Sequence, residues 1–107
     1  MSTQPPTLTS QQRRKLRQIA HHLHPVVTIG DRGVSDGILA ETERALEDHE
    51  LIKVRIHGED RTARTAAIDE LITGVGAVEV QRIGKIAVLY RENPERNDKL
   101  SNVVRYG

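Results

Sequence analysis

Pro25-Val26-Val27-Thr28-Ile29-Gly30-Asp31-Arg32-Gly33-Val34-Ser35 reads as a short buried strand, a two-glycine loop and the cap of a helix. Pro25 blocks continuation of whatever helix precedes it. The glycines admit positive φ and let another molecule come close to the main chain, while a helix start offers unpaired N–H donors and a partial positive charge. Such an arrangement suits a phosphate. It serves equally as a plain strand-to-helix turn, with glycine for shape, Ser35 as cap and Asp36 complementing the helix dipole.

Outward from the loop, the pattern alternates between helix and strand. Thr9, with Gln12 three residues on, marks a capping box, and the helix it opens runs to about Leu23. Leu16, Ile19, Ala20 and Leu23 make its apolar stripe; Arg14, Arg17 and His21 cluster on the opposite side. After the loop, a helix from Asp36 to His49 buries Ile38, Leu39, Thr42, Ala45, Leu46 and His49 and leaves Glu43, Arg44, Glu47 and Asp48 in water. Leu51 to His57 alternates as a half-exposed strand, with Ile52, Val54 and Ile56 on one side and Lys53, Arg55 and His57 on the other.

Glu59 to Thr73 reads as a third helix carrying Ala63, Ala67, Ile68, Leu71 and Ile72, ended by Gly74 and Gly76. Arg64 falls within that apolar stripe without a sequence-level reason. Ala77 to Ile83 and Ile86 to Arg91 are strands flanking the tight connection Gly84-Lys85. The order α-β-α-β-α-β-β gives an α/β fold with a mixed four-stranded sheet, helices mainly on one face. Lys53 and Arg55 are then expected on an open face beside Glu79 and Gln81. Residues 1–8 read as a flexible tail, 9–92 as one domain and 93–107 as a polar tail.

Composition bounds the chemistry. At 107 residues and 36% hydrophobic the chain supports one modest core. Aromatics amount to 2%, Tyr90 and Tyr106 alone, so stacking of bases on an aromatic platform is not expected. No cysteine is present, which removes disulfides and thiolate metal sites and fits a reducing compartment. No apolar stretch is long enough to cross a bilayer, so a membrane partner is not expected and the cytoplasm is the expected location. The net charge of +1 hides a segregation: Arg13, Arg14, Lys15, Arg17 and Arg32 dominate residues 1–37, whereas Glu41, Glu43, Glu47, Asp48 and Glu50 crowd residues 38–50.

Several segments together resemble the YhbY family of small bacterial RNA-binding proteins, whose domain is also called the CRM domain. They are Leu23-His24-Pro25-Val26-Val27, the pair Gly30 and Gly33, Ala45-Leu46-Glu47-Asp48-His49-Glu50-Leu51-Ile52-Lys53-Val54, Ile83-Gly84-Lys85 and Val88-Leu89-Tyr90-Arg91. The resemblance runs from Leu8 to Arg91. It implies a fold similar to the C-terminal domain of translation initiation factor three and a glycine loop that contacts RNA backbone, as in KH domains. For a stand-alone bacterial member it further implies a role on rRNA of the precursor large ribosomal subunit.

The candidate RNA-binding residues are Gly30, Asp31, Arg32, Gly33, Arg14, Arg17, Lys53 and Arg55. Main-chain N–H groups at the loop would receive a phosphate, Arg32 would pair with it, and Arg14 and Arg17 would follow the backbone. The acidic second helix would repel RNA from its flank and so orient the ligand. Asp31 sits awkwardly beside a phosphate unless it turns away or pairs with Arg32. His21, His22 and His24 project in different directions and lack cysteine partners, so neither a metal nor a cofactor is expected. Nothing brings two histidines onto one phosphate, so no catalysis is expected and no small-molecule substrate. The expected partner is RNA and the expected state a monomer; the alternative is a protein-interaction module using the open sheet face or the acidic second helix.

Overall fold

The computed structural model describes residues 8–107, which form α1 (Ser10–Ala20), β1 (Pro25–Ile29), α2 (Asp36–His49), β2 (Leu51–Ile56), α3 (Arg61–Val75), β3 (Val78–Ile83), β4 (Ile86–Tyr90) and α4 (Asn102–Tyr106). Residues 1–7, nearly all of the expected flexible N-terminal tail, lie outside the described residues. The sheet has the order β1-β2-β4-β3, with β1 parallel to β2 and the other two pairings antiparallel. This is the mixed four-stranded sheet the alternating pattern calls for.

Local chemistry explains the element ends. Thr9 and Gln12 close the capping box at α1, each accepting from the other's backbone N–H at 3.1 and 2.9 Å. Beyond Ala20 the chain tightens: His21, His22 and Leu23 donate to the carbonyls three residues back, so a turn replaces the last part of the expected helix ahead of Pro25. α3 starts at Arg61 because the Asp60 carboxylate accepts from Thr62 N–H at 2.9 Å, and it ends at Gly76, which takes φ +66°. Gly74 lies inside α3 instead of ending it. A Cβ there would stand 2.6 Å from Leu39 Cδ2, so glycine permits the close approach of α3 to α2.

The sheet separates two apolar clusters. On one face Ile52, Val54 and Ile56 meet Val27, Ile29, Leu46, Ile68 and Leu71 under α2 and α3. On the other, Leu51 and Val88 meet Val80 with Leu16, Ile19 and Ala20 of α1. The shorter α1 therefore covers one end of the face that the sequence left uncovered, because its stripe needs an apolar partner and Leu51, Val80 and Val88 supply it. Toward the Ile56 end of the strands that face stays open.

Residues 93–107, read from the sequence as a polar tail, are built into the fold. Ser101 and Asn102 are buried, the Asn102 amide donates to Leu51 O at 2.7 Å, and Val103 of α4 packs on the cluster beneath α1. The anchor is Glu50, buried at the end of α2 with φ +61°, whose carboxylate accepts from Ser101 Oγ and from Asn93 N–H at 2.7 Å each. Glu43 is likewise not left to water. Arg91 Nη1 reaches both its carboxylate oxygens at 2.9 Å and Val75 O at 2.7 Å, tying α2, α3 and the end of β4 together.

Candidate nucleic-acid interface

The loop after β1 is a compact turn in which Gly33 N–H donates to Gly30 O at 3.0 Å. Gly33 takes φ +75°, so glycine is required there by the backbone, whereas Gly30 does not have a positive φ and a Cβ on it would meet nothing. Asp31 and Arg32 form the exposed tip and make no ion pair with each other or with any described residue. Ser35 Oγ accepts from Ile38 N–H at 3.2 Å and so occupies one donor of the α2 start; the first amides of the helix have no intrahelical acceptor. The base of the loop is held by His57 N–H, which donates to Ile29 O at 2.9 Å.

Register connects this loop to the open sheet face. Thr28 pairs with Arg55 and Ile29 with Ile56, so Arg55 stands on the neighbouring strand two residues before the loop. Lys53 lies further along the same face, in a row with Val88 and Gln81. His21 at the end of α1 shares a groove with Lys53, and Arg14 and Arg17 continue from His21 along the helix at spacings of four and three residues. Arg14 and Arg55 are exposed, and Arg17 and Lys53 half-buried. Lys53 and Arg55 thus share one face of β2, with Arg55 nearer the loop and His21 beside Lys53, while Arg14 and Arg17 stand further back on α1.

Glu79 departs from that face. Simple alternation puts it beside Gln81, but β3 carries a bulge: Glu79 pairs with Leu89 and Gln81 with Val88, leaving Val80 as the extra residue. Glu79 is thereby turned to the α3 face, where its carboxylate accepts from Arg82 at 2.7 Å while Arg82 also reaches Asp69 of α3 at 3.4 Å. Arg13, which was not among the candidates, holds the bulge: its Nη1 donates to Glu79 O at 2.7 Å and Val80 O at 2.8 Å. Only the long-range register identifies that role, since alone Arg13 is one more cation in a basic helix.

A second basic cleft escaped sequence reasoning. Arg61, Arg64 and Arg82 line it with Thr65 at the start of α3 and Gly84 at the hairpin tip. Arg64, unexplained by the apolar stripe, donates to Gly58 O at 2.8 Å and closes the loop ahead of α3. Nearby, Lys85 pairs with Glu59 at 3.0 Å, which holds the Glu59 carboxyl below its ordinary pKa. His49 Nδ1 lies 2.9 Å from Leu100 O, a structural contact, and among the described residues no group of three His, Asp or Glu side chains could hold a metal ion. No helix among them is long and apolar enough to cross a membrane.

A mixed four-stranded sheet covered by α2 and α3 on one face and in part by α1 on the other, with a glycine loop after β1 and Lys53 and Arg55 on the part left open, defines a small α/β domain by class. The particular family follows from comparison: the model of the CRS1 / YhbY (CRM) domain matches residues 8–91, and the chain belongs to that family. A Pseudomonas aeruginosa protein named a probable RNA-binding protein is 46% identical over 99 residues, covering 92% of this chain and 95% of the relative. An RNA-binding protein of Haemophilus influenzae is 45% identical over 94 residues, covering 88% and 95%. Among solved structures, a Staphylococcus aureus hypothetical protein described as a candidate RNA-binding protein superposes with TM-score 0.72 at 32% identity, covering 83% of this chain and 93% of that one.

Proposed function

We propose that this protein binds RNA without cleaving it, through the Gly30–Gly33 loop and the cations leading to it, as a cytoplasmic monomer acting on rRNA during assembly of the large ribosomal subunit. What supports the reading is that Lys53 and Arg55 share one face of β2, Arg55 two residues before the loop that carries an exposed, unpaired Arg32, with Arg14 and Arg17 on α1 as further cations. Backbone phosphates spaced along a strand require several such cations more than any one strong site. The acidic flank of α2, with exposed Glu41 and Glu47, keeps RNA to the other side. Asp31 projects at the tip and lowers affinity there without closing the turn.

Crosslinking in cells, with sequencing of the attached RNA for wild type and Arg32→Glu in parallel, tests the proposal. Reads concentrated on large-subunit rRNA and lost in the variant support it. Diffuse reads overturn the ribosomal assignment, and binding that ignores charge reversal at Arg14, Arg17 and Arg32 together, in a variant shown to be folded, overturns the RNA interface. Exposed Val26 and Ile83 on the same face favour the protein-interaction alternative, which predicts association that is insensitive to Arg32→Glu and weakly dependent on salt.

A further inference from the structure

Between the end of α1 and the open part of the sheet lies a groove with an aliphatic floor of Ile86 and Val88, an aliphatic lip at Ile83, and a rim of His21, Lys53 and Gln81. Ile83 is 64% exposed, an expensive position for an isoleucine unless something covers it. Lys53 forms no ion pair among the described residues, and the residues lining the groove include no carboxylate. The bulge at Val80 is the reason: it sends Glu79 to the opposite face and leaves the neutral Gln81 in the row with Lys53. Gln81 makes no side-chain hydrogen bond among the described residues and offers both donors and an acceptor.

We propose that this groove holds one unpaired nucleotide of the bound RNA, its base lying on Ile83, Ile86 and Val88 with its polar edge toward Gln81, and its phosphate against Lys53. The proposal rests on the RNA-binding reading above and narrows it. Charge complementarity selects an anionic ligand, since the rim holds a cation and no acid. The floor selects a flat apolar surface, which a nucleobase presents only when it is unstacked. A donor and acceptor at one edge suit a base and have no counterpart in a phosphate. Fully paired RNA keeps its base faces stacked and reaches the loop while leaving the groove empty, so the bound RNA carries an unpaired loop, bulge or end.

Methyl and amide chemical shifts of the full chain decide the matter, with adenosine monophosphate, uridine monophosphate and inorganic phosphate as separate probes, followed by a hairpin RNA with an unpaired loop and a fully paired duplex. The expected result is that the nucleotides and the hairpin move the Ile83, Ile86 and Val88 methyls and the Gln81 side-chain amide, while phosphate and duplex do not. Ile83→Ala and Gln81→Ala, both at sites that tolerate change, should each weaken hairpin binding by about tenfold and duplex binding little. RNA that shifts the Gly30–Gly33 amides but leaves the groove methyls unmoved overturns the proposal while leaving the RNA-binding reading in place. Silence at both places overturns the RNA-binding reading and this proposal with it.

Discussion

The Glu50 carboxylate accepts the Ser101 hydroxyl at 2.7 Å across fifty-one residues of chain, and both groups are buried. The same carboxylate takes Asn93 N–H, and Glu50 O accepts from Arg91 N–H at 2.9 Å, so one residue fixes the departure of the C-terminal segment. Glu50→Ala should therefore cost about 2–3 kcal/mol, since hydrogen bonds to a buried charge are among the stronger ones. Hydrogen exchange in α4 should rise before exchange in the sheet. Glu50→Gly loses the same bonds but relieves the φ of +61°, and should be more stable than the alanine variant by about 1 kcal/mol. Equal stabilities would show that the backbone there carries no strain.

Arg13 is expected to control register. Removing it in Arg13→Ala leaves Glu79 O and Val80 O without the guanidinium that reaches both, at a cost of about 1–3 kcal/mol. The loss should appear as faster exchange in β3, an edge strand, with α2 and α3 unaffected. Uniform loss of protection across all four strands would mean that the bulge needs no such clamp.

How much of this the sequence discloses depends on whether a feature is local. The span of α2, its Ser35 cap and the Gly84 hairpin follow from short-range chemistry, and the structure reproduces them. The face occupied by Glu79 does not, because period-two alternation counts residues without knowing where a bulge inserts one. Nor does the course of residues 93–107, whose composition is that of a tail. What orders them is a buried carboxylate at position 50, visible only once the chain has closed on itself. Of the candidate site, the sequence offers only a choice of residue types; that Arg55 stands beside Thr28, two residues before the loop, required the pairing of β1 with β2.

Tyr90 provides a pH test of the packing under α1. Burial, and then the negative charges of Glu50 and Glu92, push its phenol above the ordinary tyrosine value. A group raised in the folded state binds its proton more tightly there, so its stabilising contribution is complete below about pH 10 and is lost as pH rises through the folded value. Spectrophotometric titration should show a tyrosinate step above the ordinary tyrosine range that is absent in Tyr90→Phe. If the variant leaves that step in place, Tyr90 is not shielded as described.

Salt dependence measures how many cations of the proposed interface meet phosphate. Lys53→Gln and Arg55→Gln should each weaken RNA binding across unrelated sequences and reduce the slope of log affinity against log salt by about one. Arg44→Gln, an exposed change on the acidic side of α2, should leave the slope unaltered. Equal effects from all three would reduce the interface to net charge and remove the proposed contacts.

Gly30 separates a phosphate loop from a plain turn, because its two possible roles make opposite demands. If the turn alone mattered, only Gly33 would need to be glycine: its φ of +75° makes Gly33→Ala cost about 1 kcal/mol. At Gly30 a Cβ meets no atom within 4 Å, so Gly30→Val should leave thermal stability nearly unchanged. An RNA strand lying against the main chain would nevertheless meet the valine side chain, so the proposed interface requires affinity to fall at least several-fold with no loss of fold. Wild-type affinity in a folded Gly30→Val protein would leave the loop as a connection between β1 and α2 and nothing more.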